Sequence, residues 1–407
     1  KQTIGGQFFD LSLRGFAKPV NLDHLINKHG KEVLSAGRFN LYKKEKGSLA
    51  KHLKTEPSAS QYPVLAVAES GDHPIHVLRR GNPSLPGPLV SPAFPSVFGE
   101  SKLVIPANYK KGNSSGRRRA LAEWVASPDN PMTARVMVNR IWQYHFGRGI
   151  VRSSNDFGLQ GDDPTHPDLL NWLAHQFVET GWDIKAMHRL IMSSQAYQRS
   201  SIPQDGALLK DPLNDLFWRF DMRRLQAEEV RDSILAVRGS LNLEMGGVSV
   251  TPPLPKIILQ TASQPDKAWG NSTPRQANRR SVYVKVKRSL QDPILLSHDM
   301  ADTDTTCPVR FTTTVPTQAL TMMNGEFVNE SALNFAERIR QNAGPSPREQ
   351  VEKGLSLVFS RMPKPEEVKA GVRMMEEVAK AGGLSPEEAL DRFALLALNL
   401  NEFIYLD

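Results

Sequence analysis

"DNPMTARVMVNRIWQYHFGRG", residues 129–149, is where the fold class of this chain is first readable. Asn130 is a natural N-cap. Pro131 occupies the first helical position, where its missing N–H removes nothing the helix would use. Met132, Val136, Ile141, Trp142 and Phe146 supply the apolar faces, while Arg135, Asn139 and Gln143 recur at four-residue spacing as a polar stripe. Gly147 ends the run, because glycine accepts the left-handed conformation of a helix terminus.

Helical patterns continue on both sides. "RRRALAEWVAS" (117–127) is halted by Pro128. In "PTHPDLLNWLAHQFVETGWD" (164–183), Thr165 and Asp168 have capping-box spacing, and Leu169, Leu170, Leu173, Phe177 and Val178 form the buried stripe. "DIKAMHRLIMSSQAYQRS" (183–200) turns Met187, Leu190 and Ile191 inward. A longer helix turns Leu225, Val230, Ile234 and Val237 inward, with Arg224, Glu228, Glu229 and Asp232 read as a salt-bridged outer face, although paired carboxylates in a cleft could do acid–base work. From Gln318 to the end the chain reads as helices opened by serine, asparagine or proline, as in "SPREQVEKGLSLVFSR" (346–361) and "SPEEALDRFALLALNLNEFIYLD" (385–407). Near the amino end, Asn21 can cap a helix carrying Leu22, Leu25 and Ile26.

Three stretches have a β period. "YPVLAVAES" (62–70) and "PIHVLRRG" (74–81) read as a hairpin around "GDH", and "SVYVKVKRS" (281–289) alternates as a strand that would pair with them. Residues 82–99 carry too many prolines for a regular element and are expected to wrap the main body. The expected class is therefore mainly α: a multi-helical single core with a small antiparallel β-sheet and a long proline-rich wrapping segment. Residues 1–60 form a poorly assigned amino-terminal segment, and 61–407 the helical domain with its small sheet.

The 407 residues carry a net charge of +8, 40% apolar and 23% charged side chains, which is the profile of a globular protein. No stretch approaches the roughly 20 apolar residues of a membrane helix. The first residue is Lys1 and no apolar leader follows, as expected of a mature or excised piece of a longer protein. The basic excess, densest at Arg117, Arg118 and Arg119, favours anionic partners, but no nucleic-acid-binding signature accompanies it. No nucleophile elbow, phosphate loop, dinucleotide fingerprint or haem CxxCH is present.

Two loops concentrate reactive side chains. "NDFGLQGDDPTHPDLLNW" (155–172) offers Asn155, Asp156, Asp162, Asp163 and His166 as donors for a cation, or as loop aspartates that satisfy backbone N–H groups. The metal candidates are Asp156, Asp162, Asp163 and His166. The second loop holds Asp299, Asp302, Asp304, Cys307 and Arg310. Cys307, the single cysteine, is a nucleophile if a cation lowers its thiol, and otherwise a small buried apolar side chain. Where the loops meet, Asp156, His166, Asp304, Cys307 and Arg310 are the candidate catalytic set. His73 and His76 have ligand spacing without a third ligand, and His175 and His188 read as satisfied helix histidines.

A resemblance covers residues 76–407. "RALAEWVASPDNPMTARVMVNRIWQYHFGRGIV", the 155–201 stretch, "RRLQAEEVRDSILAV", "RRSVYVKVKR", "CPVRFTTTVPTQALTMMN" and "LNLNEFIYLD" resemble, in order, the segments of the planctomycete cytochrome-c-associated domain of unknown function, family 1553. The resemblance implies an extracytoplasmic setting, in the periplasm or at the cell surface. It also implies a covalently linked cytochrome c module carrying haem c, with no cofactor in this chain, and a second linked domain of unknown function. The family name supplies no reaction. The chain is read as a binding or scaffold module, with an anionic polysaccharide as the partner its charge suggests. The alternative is an enzyme domain with a polar or metal-assisted pocket formed by the 155–166 and 299–310 loops.

Overall fold

A computed structural model describes residues 7–8, 20–55, 74–98, 103, 105–109 and 114–406. Two compact units are distinguished: residues 1–65 with 246–248, and residues 66–245 with 249–407.

In the first unit, β1 (Gln7–Phe8) pairs antiparallel with β2 (Val20–Asn21). Helices α1 (Leu22–Val33) and α2 (Ala36–Thr55) follow. Phe39 and Tyr42 are buried, and Gly30 leaves the room that the Phe39 ring occupies.

The second unit begins with a hairpin, though not the expected one. Strand β3 (Ile75–Leu78) pairs antiparallel with β4 (Pro86–Val90), so the proline-rich segment supplies the partner itself. A strand at 62–70 and His73 of the histidine pair lie outside the described residues. Beyond β4 the segment straps onto α3 (Arg117–Val125), where the Phe94 ring stacks on Trp124 at 4.6 Å.

Helices α4 (Thr133–Phe146), α5 (Pro167–Glu179) and α6 (Ile184–Met192) form one hydrophobic cluster. Trp142, Phe146 and Phe217 meet in it in stacked and edge-to-face pairs. Fully burying one such side chain is worth about 1.5–3 kcal/mol. The Asn130 carboxamide caps as expected, accepting N–H bonds from Met132 and Thr133 at 2.9 and 3.1 Å. Of the polar stripe of α4, Asn139 and Gln143 turn inward, while Arg135 stays half-buried and reaches Asn171 at 2.8 Å. Asn139 is fully buried and exchanges two hydrogen bonds with the Val151 backbone, at 2.9 and 2.8 Å. The expected Thr165–Asp168 capping box does not form: α5 starts at Pro167 behind His166, and Thr165 bonds back to the Ile150 carbonyl instead.

After the short α7 (Asp205–Lys210), β5 (Arg223–Arg224) pairs antiparallel with the carboxy-terminal β6 (Tyr405–Leu406). That ladder fixes the entry to α8 (Ala227–Val237), whose Val230, Ile234 and Val237 are buried as the periodicity required. The region 250–290 has only short helices, α9 (Lys256–Leu259), α10 (Pro265–Ala268) and α11 (Pro274–Ala277), over a small cluster of Leu254, Trp269 and Leu290.

The strand expected over 281–289 is corrected. Residues 281–283 form a 3-10 turn, and only isolated bridges such as Val250 to Val284 follow. The cause is a tertiary competitor, since Asp232 of α8 captures both the backbone N–H and the hydroxyl of Ser281 at 2.7 Å and removes a donor that a ladder would need.

Helices α12 (Pro293–Ser297), α13 (Pro316–Asn324), α14 (Glu326–Asn342), α15 (Pro347–Phe359), α16 (Pro365–Gly382), α17 (Pro386–Ala397) and α18 (Asn401–Ile404) complete the unit. Ser346 with Glu349, and Ser385 with Glu388, make the capping boxes that open α15 and α17. The fold is mainly α as expected, and among the described residues three hydrophobic clusters form, the largest by α8 and α12–α17. Among the described residues, no helix is long and apolar enough to cross a membrane.

Candidate functional site

The carboxy-terminal half of α4 faces both sequence-predicted loops. Gln143 joins them: its amide oxygen accepts from the Ser154 hydroxyl, and its nitrogen donates to the Pro308 carbonyl at 3.0 Å. Proximity of the loops does not bring the candidate side chains together. Among the described residues, no hydrogen bond or ion pair joins any two of Asp156, His166, Asp304 and Arg310.

Each has its own partner. Asp156 accepts the Gly158 N–H at 2.8 Å, and Ser153 braces the loop by donating to the Asp156 carbonyl and accepting from the Asp162 N–H. Gly161 approaches the Asp156 carbonyl so closely that a Cβ there would collide with it. Asp162 and Asp163 are exposed. His166 contacts the Thr165 hydroxyl at 3.0 Å and lies 5.7 Å from the Phe217 ring. No group of three or more His, Cys, Asp and Glu able to hold a metal occurs among the described residues, so Asp156, Asp162, Asp163 and His166 do not assemble a ligand set.

In the second loop, Asp304 pairs with Arg288 at 3.1 Å, and Arg310 makes a bidentate pair with Glu228 at 2.5 and 3.0 Å. Cys307 is exposed, correcting the buried reading. Its thiol points to the Val309 carbonyl at 3.4 Å because the loop carries it away from any core. The charges on β5 and α8 are corrected as well: they pair with other segments rather than along an outer helix face. Arg224 reaches Asp299 at 2.6 Å, Glu228 reaches Arg310, Glu229 pairs with Arg223 at 3.2 Å, and Asp232 holds Ser281.

Asp299 anchors this loop. Burial pushes its carboxyl up, but hydrogen bonds from Thr313 N–H and Oγ1 and from Arg224 outweigh burial and hold it below the ordinary carboxylate value. A depressed folded pKa means that this contribution is complete above the unfolded value of about 3.9 and is lost as pH falls through the folded one. The urea midpoint of Asp299→Asn is therefore expected to lie well below wild type at neutral pH, with the gap narrowing below that unfolded value. A gap independent of pH would show that Asp299 does not titrate in the network.

A second set of features escaped the sequence. His145 and His188 face each other with 2.8 Å between ring nitrogens; burial, His188 and Arg223 lower the His145 pKa. More consequential is a cavity of about 660 Å³ in the second unit. Its lining includes Arg231, Arg238 and Arg338 and the proline run 252–255. A stripe of α14, Glu326, Glu330, Asn334, Glu337 and Gln341, also lines it, spaced so that one helical face is presented over about 22 Å.

These guanidiniums are bonded to protein, Arg338 through one nitrogen only. Arg231 donates to the Ala277 and Arg279 carbonyls and to Ser281; Arg238 to Ser240, Ser331 and Asn278; Arg338 to the Ala236 and Val237 carbonyls that end α8. Asp292, also lining the cavity, is raised by burial and partly relieved by Arg231 and by the N–H groups of Ile294 and Leu295. Which loops face α14 depends on residues up to about a hundred positions away.

The family model described as PSD1, protein of unknown function (DUF1553), matches residues 117–375, a span from α3 into α16 that includes both the loop junction and the cavity. No curated protein and no solved structure matches the chain.

Proposed function

The chain belongs to the PSD1 family of proteins of unknown function (DUF1553), and on that premise we propose that it is a binding module whose ligand lies in the cavity along α14. The supporting observation is a roomy, partly apolar cavity lined by three arginines and by the exposed polar side chains Glu326, Glu330 and Asn334 of α14, which are placed to meet a ligand. The loop junction supports the same reading by contrast. Glu228, Glu229 and Asp299 are each tied to an arginine there, so none stands free as a general base.

The setting follows from the resemblance and is part of the proposal: an extracytoplasmic domain of a longer planctomycete protein, linked to a cytochrome c module. Haem c belongs to that module, because a single cysteine cannot make the paired thioether attachment. The net charge of +8 supports attraction of an anionic polysaccharide to the surface as a whole, independently of what the cavity selects. A second reading, an enzyme acting in the cavity rather than at the junction of the 155–166 and 299–310 loops, has one observation in its favour, the raised Asp292 carboxyl among the lining residues.

The test is a thermal-shift screen of glycans, peptides and small polar metabolites against wild type and Asn334→Trp, which adds bulk to the cavity lining from an exposed helix position. At least one ligand class is expected to raise the melting temperature of wild type by several degrees and to leave the tryptophan variant unmoved. If nothing separates the two proteins, the module reading fails. Chain-shortened products in the binding mixtures, detected by mass, would instead favour the enzyme.

A further inference from the structure

We infer that Arg338 makes the cavity a receptor for a small organic carboxylate, gripped by the free edge of its guanidinium. This inference rests on the binding reading above and deepens it by naming the ligand class.

The three arginines of the lining differ in their countercharges. Arg231 has Asp292 and Asp232, and Arg238 has Glu330. Arg338 bonds only through Nη1, to the Ala236 and Val237 carbonyls at 2.8 and 2.6 Å, and among the described residues no carboxylate pairs with it. The sequence of α14 explains the difference. Three and four residues from Arg338 lie Asn334, Phe335, Gln341 and Asn342, none of them acidic, whereas Arg340 has Glu337 three residues before it and pairs with it at 3.0 Å.

The Nη1 bonds hold the guanidinium plane against the end of α8. They leave the Nε and Nη2 N–H groups, which point in parallel, as a two-donor fork, and neither nitrogen is closed off from solvent. Gly239, which also lines the cavity, lies against this guanidinium: a Cβ there would stand 3.3 Å from Nε and 3.5 Å from Cζ, so a side chain would crowd the fork.

Two coplanar oxygens match such a fork, and charge-assisted bonds of this kind are the strong ones. The neighbouring carboxylates limit the ligand to a single charge. Glu326 and Glu330 are exposed on the same lining stripe and oppose a dianion or a polyanion, so a carboxylate is favoured over a phosphate ester. The rest of the lining sets the body of the ligand. Pro253 and Pro274 are exposed and Pro255 is half-buried, which leaves apolar ring surface open to a cavity of about 660 Å³, room for a compact apolar group.

Ligand-observed NMR of the intact chain tests the class, with phenylacetate and isovalerate each set against its primary amide, and with phenyl phosphate and benzylamine. Each carboxylate is expected to bind at least about tenfold tighter than its amide and to weaken as salt is raised. Asn334→Glu puts a carboxylate four residues before Arg338 at an exposed position, in the order that favours an ion pair, and so occupies the fork from within. It should abolish the preference for carboxylates without lowering the melting temperature, since the Nη1 bonds to α8 are untouched. Asn334→Gln should bind as wild type does. Arg338→Lys keeps the charge and loses the fork, and should bring each carboxylate to within about threefold of its amide.

Amides that bind as tightly as carboxylates, or a carboxylate preference undiminished in Asn334→Glu, would overturn the inference. Tighter binding of phenyl phosphate, lost in Asn334→Glu, would keep the fork but replace the carboxylate class by phosphate. A preference for benzylamine would show that Glu326 and Glu330 govern the cavity, and would overturn the inference as well. Silence from every probe overturns the carboxylate assignment, and the binding reading falls with it only if the broad thermal screen also fails to separate wild type from Asn334→Trp.

Discussion

Arg231→Leu is expected to destabilise the second unit by about 3–5 kcal/mol, the cost of removing one partner from a buried charge network. The side chain is 1% exposed, in the middle of α8, yet its guanidinium serves residues almost fifty positions away. It donates to the Ala277 carbonyl at 2.8 Å, and to the Arg279 carbonyl and Ser281 hydroxyl at 3.2 Å each. Leucine would fill much of the volume and leave those acceptors without a donor. It would also leave the Asp292 carboxyl, already raised by burial, without the cation that now offsets it.

The sign of the pH effect follows. A carboxyl whose folded pKa is raised above its unfolded value penalises the native state when ionised, and the penalty is relieved as pH falls and the native state takes up the proton. The deficit of Arg231→Leu in urea unfolding should therefore be largest at neutral pH and shrink on acidification. Arg231→Lys keeps the charge but not the planar fork, and should fall between leucine and wild type. A leucine variant within about 1 kcal/mol of wild type, or a deficit unaffected by pH, would mean that Asp292 and the 277–281 turn are held by something else.

Arg231 also marks the limit of what the sequence discloses. The apolar periodicity of α8 was plain, because Val230, Ile234 and Val237 obey local geometry, and the serine and proline cues of α15 and α17 reappear as cap hydrogen bonds. Polar residues were harder. Asn139 and Gln143 have the spacing of a solvated stripe, and only the loops folded over α4 turn them into buried bridges to Val151, Ser154 and Pro308.

The same applies to the 281–289 alternation. A clean period of two predicts a strand, but Asp232 competes for the Ser281 N–H from another helix, and no local pattern reports that competitor. Of the candidate site, the aspartates at 156, 162 and 163 were legible as loop residues with a cation reading and a backbone-bracing reading side by side. The structure shows Asp156 taking part in the bracing of that loop. The cavity was not legible, since its walls come from α8, the 252–255 run, α12 and α14, and no spacing within any one of them announces the space between.

The largest effect expected from packing alone is at Phe393, 1% exposed in α17. Its ring lies against two helices that give way to it: a Cβ on Gly354 of α15 would stand 2.9 Å from one ring edge, and a Cβ on Gly371 of α16 would stand 3.1 Å from the other. Phe393→Ala should cost about 3–5 kcal/mol, because the surfaces around the vacated space are glycines with no side chain to relax into it. Gly354→Ala alone meets opposing terms. Alanine favours the helix by about 1 kcal/mol, but the new methyl collides with Phe393 and comes within 3.0 Å of Ile339, and overpacking of that kind costs about 1–3 kcal/mol. The single variant is thus expected to be destabilised. In the Phe393→Ala background the collision with the ring is gone, the helical preference dominates, and the same substitution should stabilise by up to about 1 kcal/mol. Urea unfolding of the four proteins measures this reversal of sign. If Gly354→Ala stabilises in both backgrounds, the ring does not occupy the groove between these glycines, and the interlock of α15, α16 and α17 is looser than the structure shows.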